Sequence, residues 1–520
     1  MRLLHNNPVL YREMRMRLRP SSLAMLAVAV GAILGLALIY ILLQELDRRG
    51  QWARIDWIHV WHGFAVFVMV VQVFFAFYVA LGSAANCIPR EKNRNTYDFL
   101  TTLPISAVDK VIGLAVGINL YPLMVLVFLM PVAVAAGMTG GIPLNAMLWF
   151  YVLLGVSFLA VGLLGVAVGS GSGGGTAGLL IVLLFLLSGM TIFGVIEEHS
   201  FAATPLLAIS PYATLKVLLS PPGECAEVFQ PGQHHFFGWA IPWQVSPLSF
   251  LVFLGILSFA VARNKLSFPS NPPLDRRTVL TAFVVFQVML LGFLSDALTA
   301  VEHPSQTAGT FFMINFCLVM AWGLAGQPTY AALMHWAGGR PHWIRRLAGE
   351  SFTQIGSPTI FPAGAMWLVS VGAIVAMNRL YWREVSWIGI LLVGIVLGVF
   401  LLAYQSLYTA GCLALRRRGK VLGLVLVAAC FTIPSIFSTL QHGERVLHAT
   451  PLAVFGQFFS WNSPLLNDGQ AVSEDFNYFA SLSFAVGELL VFGGVCLVAL
   501  NRLARRAPRT EASLPPLPAA

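Results

Sequence analysis

Residues 90–113 read REKNRNTYDFLTTLPISAVDKVIG, a polar segment of 24 residues that separates two long apolar runs. Connections between packed helices are usually much shorter, so a segment of this length with its own charges indicates a surface on which another molecule docks. We predict a short helix over 95–102, parallel to the membrane, in which Tyr97, Phe99 and Leu100 form an apolar anchor with charges around it. The alternative is a loop that packs only on its own spans.

Apolar runs account for most of the chain, which has 520 residues, 58% of them hydrophobic and only 10% charged. A soluble domain carries about 25% charged residues, so the composition excludes the soluble class. It predicts an all-α fold, a polytopic bundle of about twelve transmembrane helices. The predicted spans are 21–45, 58–85, 111–137, 144–169, 176–196, 246–263, 278–300, 307–327, 359–378, 385–411, 420–441 and 476–501.

The basic residues predict the orientation of these spans. Of the 31 lysines and arginines, 24 fall in alternate segments that include both chain ends, and 7 fall in the segments between them. Because cytoplasmic loops are enriched in Lys and Arg, both termini are predicted to be cytoplasmic. This bias also explains the net charge of +9, and no nucleic-acid-binding motif accompanies it, so no nucleic-acid partner is predicted. The first apolar run is too long for a signal peptide and is predicted to be retained.

Short patterns recur in the same order in the two halves, which predicts an internal repeat. Asn-Pro-Val-Leu at 7–10 recurs as Asn-Pro-Pro-Leu at 271–274, and two further pairs follow in order. Two six-span units in parallel orientation would place a transport path between them. The predicted organisation is an amphipathic interfacial helix at 1–20, a first six-span repeat at 21–263, a cytoplasmic linker at 264–277, a second repeat at 278–503 and a disordered cytoplasmic tail at 504–520.

The first twenty residues, MRLLHNNPVLYREMRMRLRP, precede any span. Arg12, Arg15 and Arg19 recur at helical spacing, and Leu10 and Met14 lie on another face. This pattern predicts an amphipathic helix in the headgroup layer. The alternative is an ordinary basic anchor beside the first span, and both interpretations place the segment on the cytoplasmic side.

These two polar segments together resemble ABC-2 type transporter permeases. The opening at 7–13, NPVLYRE, is similar to the start of many such permeases, and 91–113 is similar to their cytoplasmic coupling segment, roughly E-R-E-x-G-T-L-x-x-L-L-x-x-P-[LI]-S…G-K. Asn95 stands where the family usually has glycine, and Leu114 where it usually has lysine. The resemblance implies that the docking residues are Glu91, Arg94, Thr96, Tyr97, Phe99, Leu100 and Pro104.

The resemblance also implies a function. ABC-2 type permeases form the translocation path of ATP-binding cassette export systems and pair with separate cytoplasmic ATP-binding subunits. The chain would then be such a permease, with two six-span units fused, in a bacterial cytoplasmic membrane. Its transported substrate is not identified by the sequence.

No nucleotide-binding motif accompanies these features. The glycine-rich stretch at 169–175 lacks the Lys and Ser/Thr that hold phosphates and Mg²⁺ in a P-loop, and we interpret it as a turn between spans. The chain is therefore predicted to be neither an enzyme nor dependent on a cofactor. The segment 197–245 contains acidic residues and histidines, Glu197, Glu198, His199, His234 and His235, but their spacing matches no defined metal site. We therefore predict no metal there.

Glu488 lies near the middle of the last predicted span, where a carboxylate costs about 2.5 kcal/mol or more. We predict that it either lines the translocation path or is hydrogen-bonded between helices. Four amide side chains occupy similar positions, for which packing between helices is the favoured interpretation: Asn119, Gln287, Asn315 and Gln405.

Two other functions stay open. An ion-coupled secondary transporter would need an energy-coupling charge within the spans, and Glu488 is the candidate. An integral membrane enzyme that modifies a lipid or sugar would need clustered acidic or histidine residues at a membrane face, and the outside segments offer only the sparse group above. An ATP-binding partner subunit would distinguish the export permease from both alternatives.

Overall fold

The computed structural model describes residues 7–49, 55–97, 104–171, 234–237, 239–242, 245–267, 274–299, 304–326, 358–381, 387–414 and 478–506, with a few isolated positions between them. The chain divides into two compact units, Met1–Leu274 and Asp275–Ala520. This border falls within the predicted linker 264–277, although a helix that continues to Ser267 takes up the start of that linker. The described residues are helical apart from one short hairpin.

The first unit begins with a short helix and continues with a bundle. A π-helical turn, Phe75–Val79, joins the helices Trp57–Phe74 and Ala80–Ala85. The two strands of the hairpin are antiparallel, with His234 opposite Ile241. The described elements of this unit are α1 Pro8–Arg17, α2 Pro20–Arg49, α3 Trp57–Phe74, α4 Ala80–Ala85, α5 Cys87–Asn93, α6 Ala107–Ile118, α7 Leu120–Thr139, α8 Leu144–Gly171, β1 His234–Phe236, β2 Trp239–Ile241 and α9 Val245–Ser267.

The second unit contains five long helices among its described residues. They are α10 Arg276–Thr299, α11 Pro304–Gly326, α12 Ile360–Tyr381, α13 Trp387–Ala414 and α14 Tyr478–Arg506. Close packing of α12 on α13 is possible because two glycines of α13, Gly394 and Gly398, face large side chains of α12, Val371 and Trp367. The Trp367 indole donates a hydrogen bond to the Gly394 carbonyl at 2.7 Å.

Eight helices within the described part of the chain are long and apolar enough to cross a membrane. The predicted polytopic helical membrane protein is thereby confirmed in its class. These helices are Pro20–Asp47, Trp57–Asn93, Leu120–Thr139, Leu144–Ser170, Val245–Ser267, Ile360–Arg379, Trp387–Ala414 and Ser481–Arg502.

The number of twelve spans and the six-plus-six repeat stay predictions. The predicted spans 278–300 and 307–327 coincide with α10 and α11, which are not among the eight helices above. The predicted span 176–196 and most of 420–441 lie outside the described residues, as does most of the predicted tail 504–520.

The predicted span 111–137 is not one helix, because α6 ends at Ile118 and α7 begins at Leu120. Asn119 adopts φ −91° and ψ 15°, which departs from helical geometry. Pro122 has no amide hydrogen, so the Ile118 carbonyl loses the donor it would have in a continuous helix. The Asn119 side chain itself donates to the Ala115 carbonyl at 3.0 Å.

Amide side chains join neighbouring helices inside both units, as the packing interpretation predicted. In the first unit, Ser83 donates to the Asn119 side chain, and Gln72 donates to the Leu126 carbonyl at 3.1 Å. In the second unit, Gln287 donates to Asn315, and Gln405 donates to the Met320 carbonyl at 3.3 Å, so α10, α11 and α13 are connected.

The core of the first unit lies between α3, α7 and α8. Its largest fully buried side chains include Met69, Phe77 and Phe150. Helix α2 contributes only partly buried side chains to this core, so most of its surface faces outward. Helices α4 and α8 approach each other at backbone distance, because a Cβ on Gly165 would lie 3.0 Å from the Ala85 amide nitrogen.

Candidate functional site

The predicted docking segment begins with a turn that directly follows the second span. Asn95, which follows the end of α5, has a φ of 57°. Its amide donates to the Lys92 carbonyl at 3.1 Å, and the Thr96 amide donates to the Glu91 carbonyl at 2.9 Å. This pair of bonds around a left-handed residue is the Schellman motif that ends many helices. Glycine is usual at the left-handed position and asparagine is also tolerated there, so Asn95 can end helix α5 in this way.

The short helix predicted over 95–102 therefore does not begin at Asn95, because Asn95 and Thr96 complete the turn. Tyr97 is helical and half-buried. Its ring packs on a buried hydrophobic cluster that includes Val9 of α1 and Val111 of α6. The Lys92 ammonium lies 5.0 Å from the centre of the ring. Tyr97 thus contributes part of its ring to the chain's own core and leaves part at the surface.

The other predicted docking and anchoring residues are distributed around this turn. Phe99 and Leu100 lie outside the described residues, so their role as anchors stays a prediction. Of the three arginines predicted for the interfacial helix, Arg12 is half-buried, Arg15 is exposed, and Arg19 is exposed beyond the end of α1 at Arg17. The exposed members of the predicted set are Arg15, Arg19, Arg94 and Pro104.

Glu91 connects the turn to helix α1. Thr96 Oγ1 donates to one of its carboxylate oxygens. Arg12 Nη2 donates to the other oxygen at 2.8 Å, although Arg12 and Glu91 are 79 residues apart in sequence. The Glu91 side chain is only 13% exposed. An ion pair that is partly shielded from water is screened less than one at a free surface, so it can hold α1 against the end of α5.

Arg12 extends the contact to a second carboxylate on its own helix. It also donates to Glu13 at 2.8 Å, and Arg17 donates to the other oxygen of Glu13 at 3.0 Å. Glu13 is only 4% exposed, so both of its oxygens are satisfied by guanidinium groups in a buried position. Burial acts to lower the pKa of Arg12, but its hydrogen bonds and charge interactions with Glu13 and Glu91 raise that pKa overall. Arg12 is therefore positively charged at every physiological pH.

Asn7 fixes the other end of α1. Its side-chain oxygen accepts bonds from the amides of Val9 and Leu10, both at 3.1 Å, which is the N-cap arrangement. Its side-chain nitrogen donates to the Asp109 carbonyl in the first turn of α6 at 2.6 Å. Pro8 at the first helical position has no amide hydrogen to satisfy. The Asn-Pro pair thus both starts α1 and attaches it to α6.

Two glycines of α6 allow α1 to lie directly against it. A Cβ on Gly113 would lie 2.8 Å from Asn7 Oδ1 and 2.9 Å from the Cβ of Val9. One turn later, a Cβ on Gly117 would lie 2.9 Å from the Cβ of Glu13. Any side chain at either position would separate the helices. This is the close approach that small residues four apart permit between membrane helices.

Helix α6 begins with a capping arrangement that explains the Pro-Ile-Ser sequence before it. Ser106 Oγ accepts a bond from the Asp109 amide at 3.1 Å and donates to the Asp109 carboxylate at 2.6 Å. The serine thus satisfies an amide that has no partner within the helix. Helix α6 therefore begins directly after Ser106, and the Asp109 carbonyl in its first turn accepts the bond from Asn7.

We call the residues that attach α1 the N-terminal cluster. The sequence analysis named Arg12 as part of an interfacial helix and Glu91 and Thr96 as docking residues, and it did not predict that they contact one another. Sequence reasoning missed Asn7 as a bridge and missed the buried carboxylate of Glu13. The spacing of Gly113 and Gly117 could have indicated the contact. The members of the cluster are Asn7, Arg12, Glu13, Arg17, Glu91 and Thr96.

Glu488 lies on α14 of the second unit and is half-buried. It lies beside an open groove of about 460 Å³ whose described lining, which includes Ser483, Phe484 and Gly487, belongs to the same helix. Among the described residues, one of its carboxylate oxygens is buried and has no hydrogen-bond partner. A carboxylate beside such a groove on a membrane span is compatible with a transport path as well as with a structural contact.

No metal site is found in the described part of the chain, where no group of three or more His, Cys, Asp or Glu residues is placed to hold an ion. Of the histidines and acids that the sequence analysis considered, His234 and His235 lie on β1. Glu197, Glu198 and His199 lie outside the described residues.

The N-terminal cluster is thus built from side chains of α1 with its N-cap, of α5 and of the turn after α5, and it reaches α6 through the Asp109 carbonyl. Its arrangement can hold α1 rigidly on the end of the second span and on α6. In the comparisons with known proteins, no protein-family model, no curated protein and no solved structure matches the chain.

Proposed function

We propose that this chain is the membrane-spanning component of an ABC-2 type export system, driven by a separate ATP-binding subunit that docks on the segment after the second span. One observation supports this more than any other. The two segments that resemble ABC-2 permeases, 7–13 and 91–113, are joined through Arg12 and Glu91 and through Asn7 and the Asp109 carbonyl. A docking segment must be attached firmly to the spans if it is to transmit force, and these bonds provide such an attachment.

The second span gives the docking segment a stiff connection to the membrane. The helix Trp57–Asn93 has 37 residues, which corresponds to roughly 55 Å at 1.5 Å per residue. Hydrocarbon is about 30 Å thick, so the helix is long enough to continue well beyond it to the N-terminal cluster. A movement of the bound subunit would therefore be transmitted to the helices of the first unit through α5 and α4, as well as through α6.

The exposed basic residues near the turn suit a partner on the cytoplasmic side. Near the turn, Arg90, Lys92 and Arg94 are exposed, and the positive-inside bias predicts that this surface is cytoplasmic. The partner that fits has an apolar groove for Phe99 and Leu100 with acidic residues at its rim. The work of ATP hydrolysis would be done by that partner, since this sequence contains no nucleotide-binding motif.

The direct test is to purify the affinity-tagged chain from its native host and to measure ATPase activity and the subunits present. We expect the wild-type chain to retain an ATP-hydrolysing subunit. Phe99→Asp or Leu100→Asp should lose most of that subunit, because a charge at the centre of an apolar anchor commonly costs 2 kcal/mol or more, a factor of roughly 30.

Trp239→Asp is the matched control for the docking test. Trp239 is 79% exposed on the hairpin, which is predicted to lie outside, so the same change in chemistry there should leave the subunit bound. A wild-type chain that purifies without any ATP-hydrolysing subunit would contradict the proposed function. Full retention by Phe99→Asp and Leu100→Asp would contradict the docking assignment alone.

An ion-coupled secondary transporter is the second candidate, favoured by Glu488 and the groove beside it. The two functions differ in a measurable way. Under our proposal, the purified chain alone in liposomes does not move protons when a membrane potential is imposed, as followed by a pH-sensitive dye. Proton uptake that disappears in Glu488→Gln would instead establish the secondary transporter.

A further inference from the structure

A cavity of about 890 Å³ opens between helices α2 and α3 of the first unit, at the end remote from the N-terminal cluster. The α2 residues that line it recur at helical spacing from Ala37 to Asp47, and the α3 residues do the same from His59 to Phe67. The lining residues therefore form one stripe along each helix. The two stripes face each other, and the space between them is the cavity. Its volume is in the range of ligand-binding pockets.

Small residues explain why this gap is not filled. Ala37 on α2 and Gly63 on α3 both line the cavity. A Cβ on Gly63 would lie 3.6 Å from Cγ2 of Ile41, which is an ordinary contact, so Ile41 bounds the cavity without filling it. Larger residues at Ala37 and Gly63 would let the two helices pack side chain against side chain, as cores normally do.

The lining changes from apolar to polar along the helix axes. Towards the middle of the spans, the wall is made of Ala37, Val66 and Phe67; towards their ends, it is made of Gln44, Glu45, Asp47 and His59. Because α2 and α3 run in opposite directions, the polar residues of both helices lie at the same end. The cavity therefore has an apolar half within the hydrocarbon and a polar half at the membrane surface.

Aromatic residues place this polar end at the level of the lipid headgroups. Tyr40 is 61% exposed and Trp57 is 55% exposed on the same ends of α2 and α3, and tyrosine and tryptophan are enriched at membrane interfaces. The Tyr40 hydroxyl accepts a hydrogen bond from Gln44 at 2.7 Å. In sequence, the end of α2 carries two acidic and two basic residues between Glu45 and Arg49, so its charge is balanced.

We propose that this cavity binds a zwitterionic phospholipid, phosphatidylethanolamine, from the surrounding leaflet. The acyl chains would occupy the apolar half beside Phe67. The ammonium group would lie near Asp47 and Glu45, whose carboxylates attract it, whereas phosphatidylglycerol carries the same phosphate without an ammonium group to offset its repulsion. Gln44 and His59 supply further polar contacts for the glycerophosphate. This inference depends only on the geometry of the first unit and is independent of the proposed export function.

Native mass spectrometry of the purified chain, exposed to equimolar phosphatidylethanolamine and phosphatidylglycerol, tests the proposal. We expect retained phosphatidylethanolamine to exceed phosphatidylglycerol by up to about fivefold, as a single exposed charge contact provides. The double variant Glu45→Gln, Asp47→Asn should remove most of that preference. Ala37→Trp should lower phosphatidylethanolamine retention by filling the apolar half.

Ala29→Trp provides the matched control, since Ala29 is exposed on the same helix away from the cavity. It should retain phosphatidylethanolamine as the wild-type chain does. Because Glu45 is 7% exposed and its substitution could disturb folding, each variant is also compared with the wild type by thermal melting. Equal retention of the two lipids by the wild-type chain would overturn the proposal, as would an Ala37→Trp variant that folds and retains the lipid fully.

Discussion

Leucine in place of Gly165 is expected to prevent the first unit from folding normally. A Cβ at this position of α8 would lie 2.6 Å from the Cβ of Ala84 and 3.0 Å from the Leu81 carbonyl oxygen. Those atoms belong to the backbone of α4 or are bonded directly to it. They therefore cannot relieve the clash by a change of rotamer, as a long side chain can. Overpacking of a core typically costs about 1–3 kcal/mol, and a leucine against backbone should reach at least the upper end. The measurements are the yield of monodisperse protein in mild detergent and its melting temperature.

Gly155→Leu is the control for this prediction. Gly155 lies on the same helix α8, is exposed, and has no heavy atom within 4 Å of a Cβ built on it. The same leucine there should leave the yield and the melting temperature close to those of the wild type, because it would point towards lipid. If Gly165→Leu and Gly155→Leu behave alike, α4 and α8 do not approach each other at backbone distance.

The membrane-spanning class of the fold could be predicted from the sequence because it depends on local chemistry. Runs of about twenty apolar residues must form helices in hydrocarbon, where every backbone amide needs a partner within the chain. The same rule does not predict interruptions. Asn119 and Pro122 were visible in the run 111–137, but amide side chains and prolines also occur within unbroken membrane helices, so the break between α6 and α7 required the structure.

The candidate site was predictable only in part, because its bonds join residues that are far apart in sequence. The Arg12–Glu91 pair spans 79 residues and the Asn7–Asp109 bond spans 102. Periodicity placed Arg12 on a polar face and predicted that it meets lipid headgroups, as an arginine on an interfacial helix usually does. It could not show that a carboxylate on another helix occupies that position. Asn95 is similar, since only its φ of 57° reveals why a residue that tolerates the left-handed region is needed.

The attachment of α1 leads to a further prediction, read out at Cys87. This thiol is 4% exposed and is buried in the cluster that includes Val9 of α1. In a variant that keeps Cys87 and replaces the other five cysteines, Gly113→Leu should separate α1 from α6 and expose the thiol. Overpacking by about 1–3 kcal/mol raises the open population about fivefold to more than a hundredfold, and the rate of labelling by N-ethylmaleimide should rise in proportion.

The polar bonds of the N-terminal cluster can be separated from this steric effect. Asn7→Ala removes the cap and the bond to Asp109, and a lost cap alone costs about 1 kcal/mol, so labelling of Cys87 should quicken about fivefold. Arg12→Met keeps most of the side-chain volume but leaves Glu91 without its partner on α1, and should also quicken labelling.

Gly35→Leu is the control, because nothing lies within 4 Å of a Cβ at Gly35 of α2. If Gly113→Leu labels no faster than Gly35→Leu, α1 is not seated on α6. If Asn7→Ala and Arg12→Met both label at the wild-type rate while Gly113→Leu does not, apolar packing alone holds α1, and the polar bonds cannot be the connection through which a docked subunit acts on the spans.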